Sequence, residues 1–152
     1  MAEQKLVNLK INDRDVQVPA GTLVIEATKQ IATEVPSFCY YPGLSLQAAC
    51  RMCLVEVEKM PKLQTACTLV ATEGMVVKTD TVQIKQARKG VLEFLLTNHP
   101  LDCPVCDKGG ECELQDMVFR YGADSSRFVE DRSRFPVRWP SSGPGSGHPA
   151  RS

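Results

Sequence analysis

The sequence predicts an α+β chain, in which a small mixed sheet with one helix is followed by a helix-loop-helix unit and a tail without a core. Three observations carry this reading. Apolar residues alternate in short runs, other apolar residues recur at helical spacing, and eight of the ten residues from Ser141 to Ala150 are Ser, Gly or Pro.

Val7, Leu9 and Ile11 share one strand face and Asn8 and Lys10 the other. Asn12-Asp13-Arg14-Asp15 then offers a turn before Val16-Gln17-Val18, which makes a hairpin. After Pro19-Ala20-Gly21, Thr22 is placed to cap a helix whose apolar residues are Val24, Ala27, Ile31 and Val35, and Pro36 stops it. Residues 37–53 read as irregular around Pro42-Gly43, and the runs Leu54 to Glu58 and Met75 to Thr79 as two further strands.

A second unit starts near Asp80. Ile84, Ala87, Val91 and Leu95 form its helical stripe, with Lys85, Arg88, Lys89 and Glu93 off it, and the helix is expected to end near His99-Pro100. The polar face mixes both signs, so this helix reads as core-packing and not membrane-binding. Residues 100–110 form a loop containing Gly109-Gly110. Leu114, Met117, Val118 and Tyr121 then mark a short helix closed by Gly122 at C′. The expected divisions are 1–80, 81–130, and a disordered tail at 131–152.

The 18 Lys plus Arg cancel the 18 Asp plus Glu, which argues against a nucleic-acid partner. The longest apolar stretches, Phe38 to Tyr41 and Met52 to Val55, fall far short of the roughly 20 residues a membrane helix needs. Met1-Ala2-Glu3-Gln4-Lys5 has no leader character, and a cytosolic start is the expectation. Composition is otherwise ordinary for a globular protein, so the anomaly is seven Cys without an export signal.

The cysteines divide into Cys39-x10-Cys50-x2-Cys53-x13-Cys67, one complete set of four, and Cys103-x2-Cys106-x5-Cys112, which lacks a fourth ligand unless His99 supplies it. An odd count leaves a disulfide framework with an orphan thiol, and reducing compartments disfavour disulfides, so metal or cluster ligation is expected. Structural zinc sites usually join two close pairs. Each group here has a single C-x2-C with its other ligands spread along a loop, which suits a bulky iron-sulfur core met by thiolates from several directions. Blander readings stand beside these. His99 at a helix end is favoured by the macrodipole alone, Cys67 could be a small buried hydrophobe, and Arg51 is assigned no role.

The string His99-Pro-Leu-Asp-Cys103-Pro-Val-Cys106-Asp-Lys-Gly-Gly-Glu-Cys112-Glu-Leu-Gln-Asp resembles the His-plus-three-Cys cluster motif of the large iron-sulfur subunit, the G subunit, of respiratory complex I, NADH-quinone oxidoreductase. Ser37-Phe-Cys39 through Ala49-Cys50-Arg-Met-Cys53-Leu-Val-Glu-Val resembles the ferredoxin-like domain of the same family, and the likeness covers about residues 5–130. It implies a β-grasp ferredoxin-like first domain with a 2Fe-2S cluster on Cys39, Cys50, Cys53 and Cys67. It further implies a small helical unit with a 4Fe-4S cluster on His99, Cys103, Cys106 and Cys112. The ten-residue first gap is longer than the four of plant-type ferredoxins. The family also continues into further C-x2-C-x2-C clusters and a domain related to molybdopterin enzymes, while this sequence changes character after about Pro136, so a fragment or truncated reading frame is expected.

No nucleophile-base pair, phosphate-cradling loop or nucleotide fingerprint is present, so the sequence predicts no catalytic residue and no hydride chemistry. The resemblance implies one-electron relay from a flavin-bearing NADH-oxidising subunit toward quinone, within a respiratory complex on the cytoplasmic face of the inner membrane. Replacing one thiolate by neutral His99 would by itself raise the potential of the four-iron site, and Cys112 in the first turn of its helix gains from the dipole. Two alternatives are an equivalent module of an NAD-linked hydrogenase or formate dehydrogenase, and a non-redox zinc-binding interaction module.

Overall fold

The computed structural model describes residues 5–125 and 127–129. The expected disordered tail at 131–152 lies outside them. Strand β1 (Leu6–Ile11) buries Val7, Leu9 and Ile11 as the alternation predicts, and pairs antiparallel with β2 (Arg14–Pro19). The turn between them is tighter than the sequence suggested. Asn12 (φ 47°) and Asp13 (φ 67°) both sit in the left-handed region, as a two-residue hairpin loop demands, so Arg14 and Asp15 already belong to β2. The Asn12 side chain latches this turn to the end of the sheet, donating to Thr79 Oγ1 at 2.6 Å and accepting from the Thr79 N–H at 2.9 Å.

Helix α1 spans Val24–Gln30 and buries Val24, Ile25, Ala27 and Thr28. Thr22 does not cap it. Its hydroxyl donates to the Pro19 carbonyl at 2.7 Å, and the first helical N–H groups find carbonyls from a distant turn instead: Val24 N–H donates to Leu69 at 2.8 Å and Ile25 N–H to Ala66 at 3.0 Å. The helix also stops before Pro36. Ala32 turns left-handed (φ 53°) and Thr33 N–H reaches back to the Thr28 carbonyl at 3.0 Å, a Schellman-type ending, after which Val35 packs into the core from outside the helix.

The sheet is completed by β3 (Leu54–Val57), β4 (Gln64–Thr65) and β5 (Met75–Lys78), in the order β2-β1-β5-β3-β4. Strand β5 runs parallel to β1 and antiparallel to β3. The fifth strand, β4, was not legible because two residues cannot show an alternation. Leu9, Ile11, Val18, Ile25, Val55 and Val77 form the centre of the core between sheet and α1, with Cys53 and Cys67 packed into the same cluster.

Helix α2 spans Val82–Leu96, and Thr81 Oγ1 accepts the Ile84 N–H at its start. Its buried face differs from the predicted stripe. Ile84, Arg88 and Leu92 are buried, while Leu95 is exposed and Val91 only half-buried. The polar partition misplaced Arg88 because its guanidinium is satisfied inside the protein by groups far away in sequence. Helix α3 (Glu113–Tyr121) packs on α2. Gly122 follows it in extended conformation (φ −72°), not left-handed as expected; a Cβ there would come within 2.5 Å of the Val118 carbonyl oxygen. Arg120 on α3 bridges to Glu34 at 2.8 Å, which ties the helical unit to the segment after α1. Among the described residues, no helix is long and apolar enough to cross a membrane.

Candidate metal centres

The loop between α1 and β3 carries Cys39 and Cys50, both half-buried, and delivers Cys53 to the start of β3 almost fully buried. Cys39 Sγ lies 3.4 Å from Cys50 Sγ. Ala48 (φ 49°) and Arg51 (φ 58°) are left-handed, so the chain curls around Cys50 and turns its amides inward, the geometry of an anion nest. Phe38 N–H donates to Cys50 Sγ at 3.4 Å. Burial acts to raise the Cys39 thiol, but the N–H groups of Cys50, Ala49 and Cys39 itself, together with the Cys50 thiol, prevail and hold it below its ordinary value.

Cys67 comes from the other side, in the turn after β4. That turn is braced by Ala66 N–H on the Cys53 carbonyl at 3.0 Å, by the Thr65–Thr68 hydroxyl pair at 2.6 Å, and by the start of α1. Burial first, then the Cys53 thiol and the negative fields of Cys53, Cys39 and Cys50, push the Cys67 thiol up to about 12. The Cys67 sulfur thus lies within electrostatic reach of the other three. Cys67 is buried, as the bland reading required, but beside Cys53 and not among aliphatic side chains alone.

The other four residues line one cavity of about 230 Å³, walled by Leu96, Leu101, Leu114, Val118 and Phe119. His99 stands three residues past α2, with its N–H on the Leu96 carbonyl at 3.2 Å. Cys103 opens a 3-10 turn (Cys103–Val105), and Cys106 follows with its N–H on the Cys103 carbonyl at 3.3 Å. Gly109 is required where the loop folds back, because a Cβ would meet the Cys103 carbonyl oxygen at 2.6 Å and that of Cys106 at 3.0 Å. Cys112 proves to be the N-cap of α3, one position before the first turn.

Both sets fit iron-sulfur groups by their donor chemistry. The first presents thiols with amide hydrogens turned toward sulfur, and the second places three thiols and an imidazole around one apolar-walled cavity. Among the described residues, no three His, Cys, Asp or Glu side chains close on one point as a single-ion site requires.

Two residues that sequence reading left out join the first site. The Tyr40 hydroxyl donates to Glu26 on α1 at 2.7 Å, pinning the residue after Cys39 to the helix. Arg88 donates from Nε to the Met52 carbonyl and from Nη2 to the Leu54 carbonyl, both at 3.2 Å. The available signal was the spacing of four along Ile84, Arg88 and Leu92, which puts Arg88 on the face of two apolar residues.

A profile described as the 2Fe-2S iron-sulfur cluster binding domain matches residues 4–82, and one described as the NADH-ubiquinone oxidoreductase-G iron-sulfur binding region matches residues 88–127. The G subunit of NADH-quinone oxidoreductase from Rickettsia felis (strain ATCC VR-1525 / URRWXCal2) is 50% identical over 127 residues, 84% of this chain and 19% of the relative. The chain belongs to the iron-sulfur G-subunit family of NADH-quinone oxidoreductase.

The NADH-ubiquinone oxidoreductase 75 kDa subunit of Reclinomonas americana is 47% identical over 87% of this chain and 20% of its own length. The chain spans about a fifth of the length of these relatives. Among solved structures, an NAD+-reducing NiFe hydrogenase in the H2-reduced state superposes with TM-score 0.70 at 25% identity, covering 84% of this chain and 55% of that one. The likeness to the NADH-quinone oxidoreductase proteins, at twice that identity, is the better guide. In this family the grasp-like sheet is a 2Fe-2S binding domain, and the helical unit a 4Fe-4S binding region.

Proposed function

We propose that Cys39, Cys50, Cys53 and Cys67 hold the 2Fe-2S cluster, and that His99, Cys103, Cys106 and Cys112 hold the 4Fe-4S cluster. The observation supporting this is that the Cys39 and Cys50 sulfurs lie 3.4 Å apart with Cys53 and Cys67 in electrostatic reach of them, while His99, Cys103, Cys106 and Cys112 line one cavity. The boundaries follow, with the first binding domain at 1–80 and the second at 81–130. A bound cluster supplies one-electron acceptance and release. The protein residues bring the thiols into place, turn amide hydrogens toward sulfur, and exclude water on the buried side of Cys53 and Cys67.

The chain then serves as an electron-transfer segment of NADH-quinone oxidoreductase, between a flavin-bearing NADH-oxidising subunit and the path to quinone, on the cytoplasmic face of the membrane through that complex. The hydrogenase likeness supports a second reading, the same module in an NAD-linked hydrogenase. A zinc-binding module would be colourless and free of acid-labile sulfide. Iron and sulfide analysis with EPR on anaerobically purified chain tests the assignment. Cys50→Ser is expected to abolish the rhombic two-iron signal and leave the four-iron site occupied; an unchanged spectrum would reject the ligand set.

A further inference from the structure

Arg88 is 3% exposed on the buried face of α2, an uncommon place for a guanidinium. Its two forked hydrogen bonds end on Met52 and Leu54, the residues immediately before and after Cys53. Met52 is itself fully buried, so water is kept from this side of the cysteine. The other face of the guanidinium lies 5.3 Å from the centroid of the Tyr121 ring on α3, the helix capped by Cys112. Among the described residues, no carboxylate comes within ion-pair distance of Arg88. A buried cation without a counter-charge is costly, and neutral carbonyls satisfy its hydrogens without neutralising it. In its field lie Tyr121 first, then Asp80, and then Cys53 of the thiol set, whose two flanking carbonyls it holds.

We propose that Arg88 is a positioning residue for the two-iron site, clamping the backbone on both sides of Cys53 and holding a fixed positive charge beside the thiolates. The role rests on the ligand assignment above. A centre with four thiolates is anionic when oxidised and gains one more negative charge when an electron enters, so a nearby buried cation favours the reduced form and raises the potential. A clamp alone would affect only how much cluster is retained. A clamp that carries charge also moves the potential, and the two effects separate experimentally.

The test is a dithionite titration with redox mediators, followed by EPR, on the anaerobically purified full chain and on R88Q, R88M and R88K. Both neutral variants are expected to shift the two-iron reduction equilibrium toward the oxidised form by about tenfold, which for one electron is 59 mV. R88K keeps the charge but displaces it from the fork, and is expected to shift the equilibrium in the same direction by less. The four-iron equilibrium is expected to stay within about twofold of the parent. If R88Q and R88M fail to fold, R88K decides alone. An unchanged two-iron potential in R88K and in every folded neutral variant overturns the role of Arg88. A two-iron signal that survives Cys50→Ser overturns the ligand assignment beneath it, and the two failures are read from different samples.

Discussion

The N–H of Ile25, in the first turn of α1, donates to the carbonyl of Ala66 at 3.0 Å, one residue before Cys67. The start of the helix is therefore fastened to the turn that presents Cys67, which is as deeply buried as Cys53. Core packing and ligand placement are one structural unit at this point, since Ile25 and Cys67 belong to the same buried cluster.

Ile25→Ala is accordingly expected to do two things. Removing a fully buried side chain costs about 2–5 kcal/mol, which is read as a lower thermal midpoint. Loosening α1 also frees the Cys67 turn, so iron should be lost from the two-iron site before the four-iron site, followed by EPR during slow warming. Simultaneous loss from both would show that the turn does not depend on the helix.

Gly109→Ala is expected to damage the other site selectively. The added methyl meets backbone oxygens of two of the proposed ligand residues, Cys103 at 2.6 Å and Cys106 at 3.0 Å, and backbone cannot swing away as a flexible side chain can. Relief of such overpacking costs about 1–3 kcal/mol. Four-iron content should fall while the two-iron signal persists, and a full complement of iron would count against the close approach.

His99 decides the ligand count of the second site. His99→Cys is expected to retain a four-iron cluster at lower potential, because a thiolate adds negative charge. His99→Ala should give a site that loses iron readily or accepts an added ligand, with the two-iron signal intact. Four-iron content and EPR unaltered in His99→Ala would make the histidine a helix-end residue only.

Acid stability should depend on Glu26. The hydrogen bond from Lys29, then that from Tyr40, hold its carboxyl below the ordinary range. A depressed carboxylate contributes stability that is present above its unfolded value of 4.5 and lost as pH falls through the lower folded value. The Glu26 side chain is 35% exposed and that of Lys29 53%, so solvent screening limits the effect to roughly 0.5–1 kcal/mol. Urea midpoints of the parent and of Glu26→Gln should differ at pH 6 and converge as the pH is lowered below 4.5. A constant difference between them at every pH would remove Glu26 from the acid response.

Much of this protein was determined by short-range pattern. The alternation of Val7, Leu9 and Ile11 requires a strand with one buried face, and the spacings of Cys39 through Cys67 and of His99 through Cys112 mark the two sets of four residues proposed as ligands. Tertiary structure decided what depends on partners far away in sequence. Thr22 yields the helix cap because carbonyls of Ala66 and Leu69 arrive to serve the first N–H groups. Strand β4 exists through its pairing with β3, since two residues have no period of their own. Arg88 is buried because the Met52 and Leu54 carbonyls, 36 and 34 residues earlier, accept its hydrogens, and a local pattern can only assign a guanidinium to water.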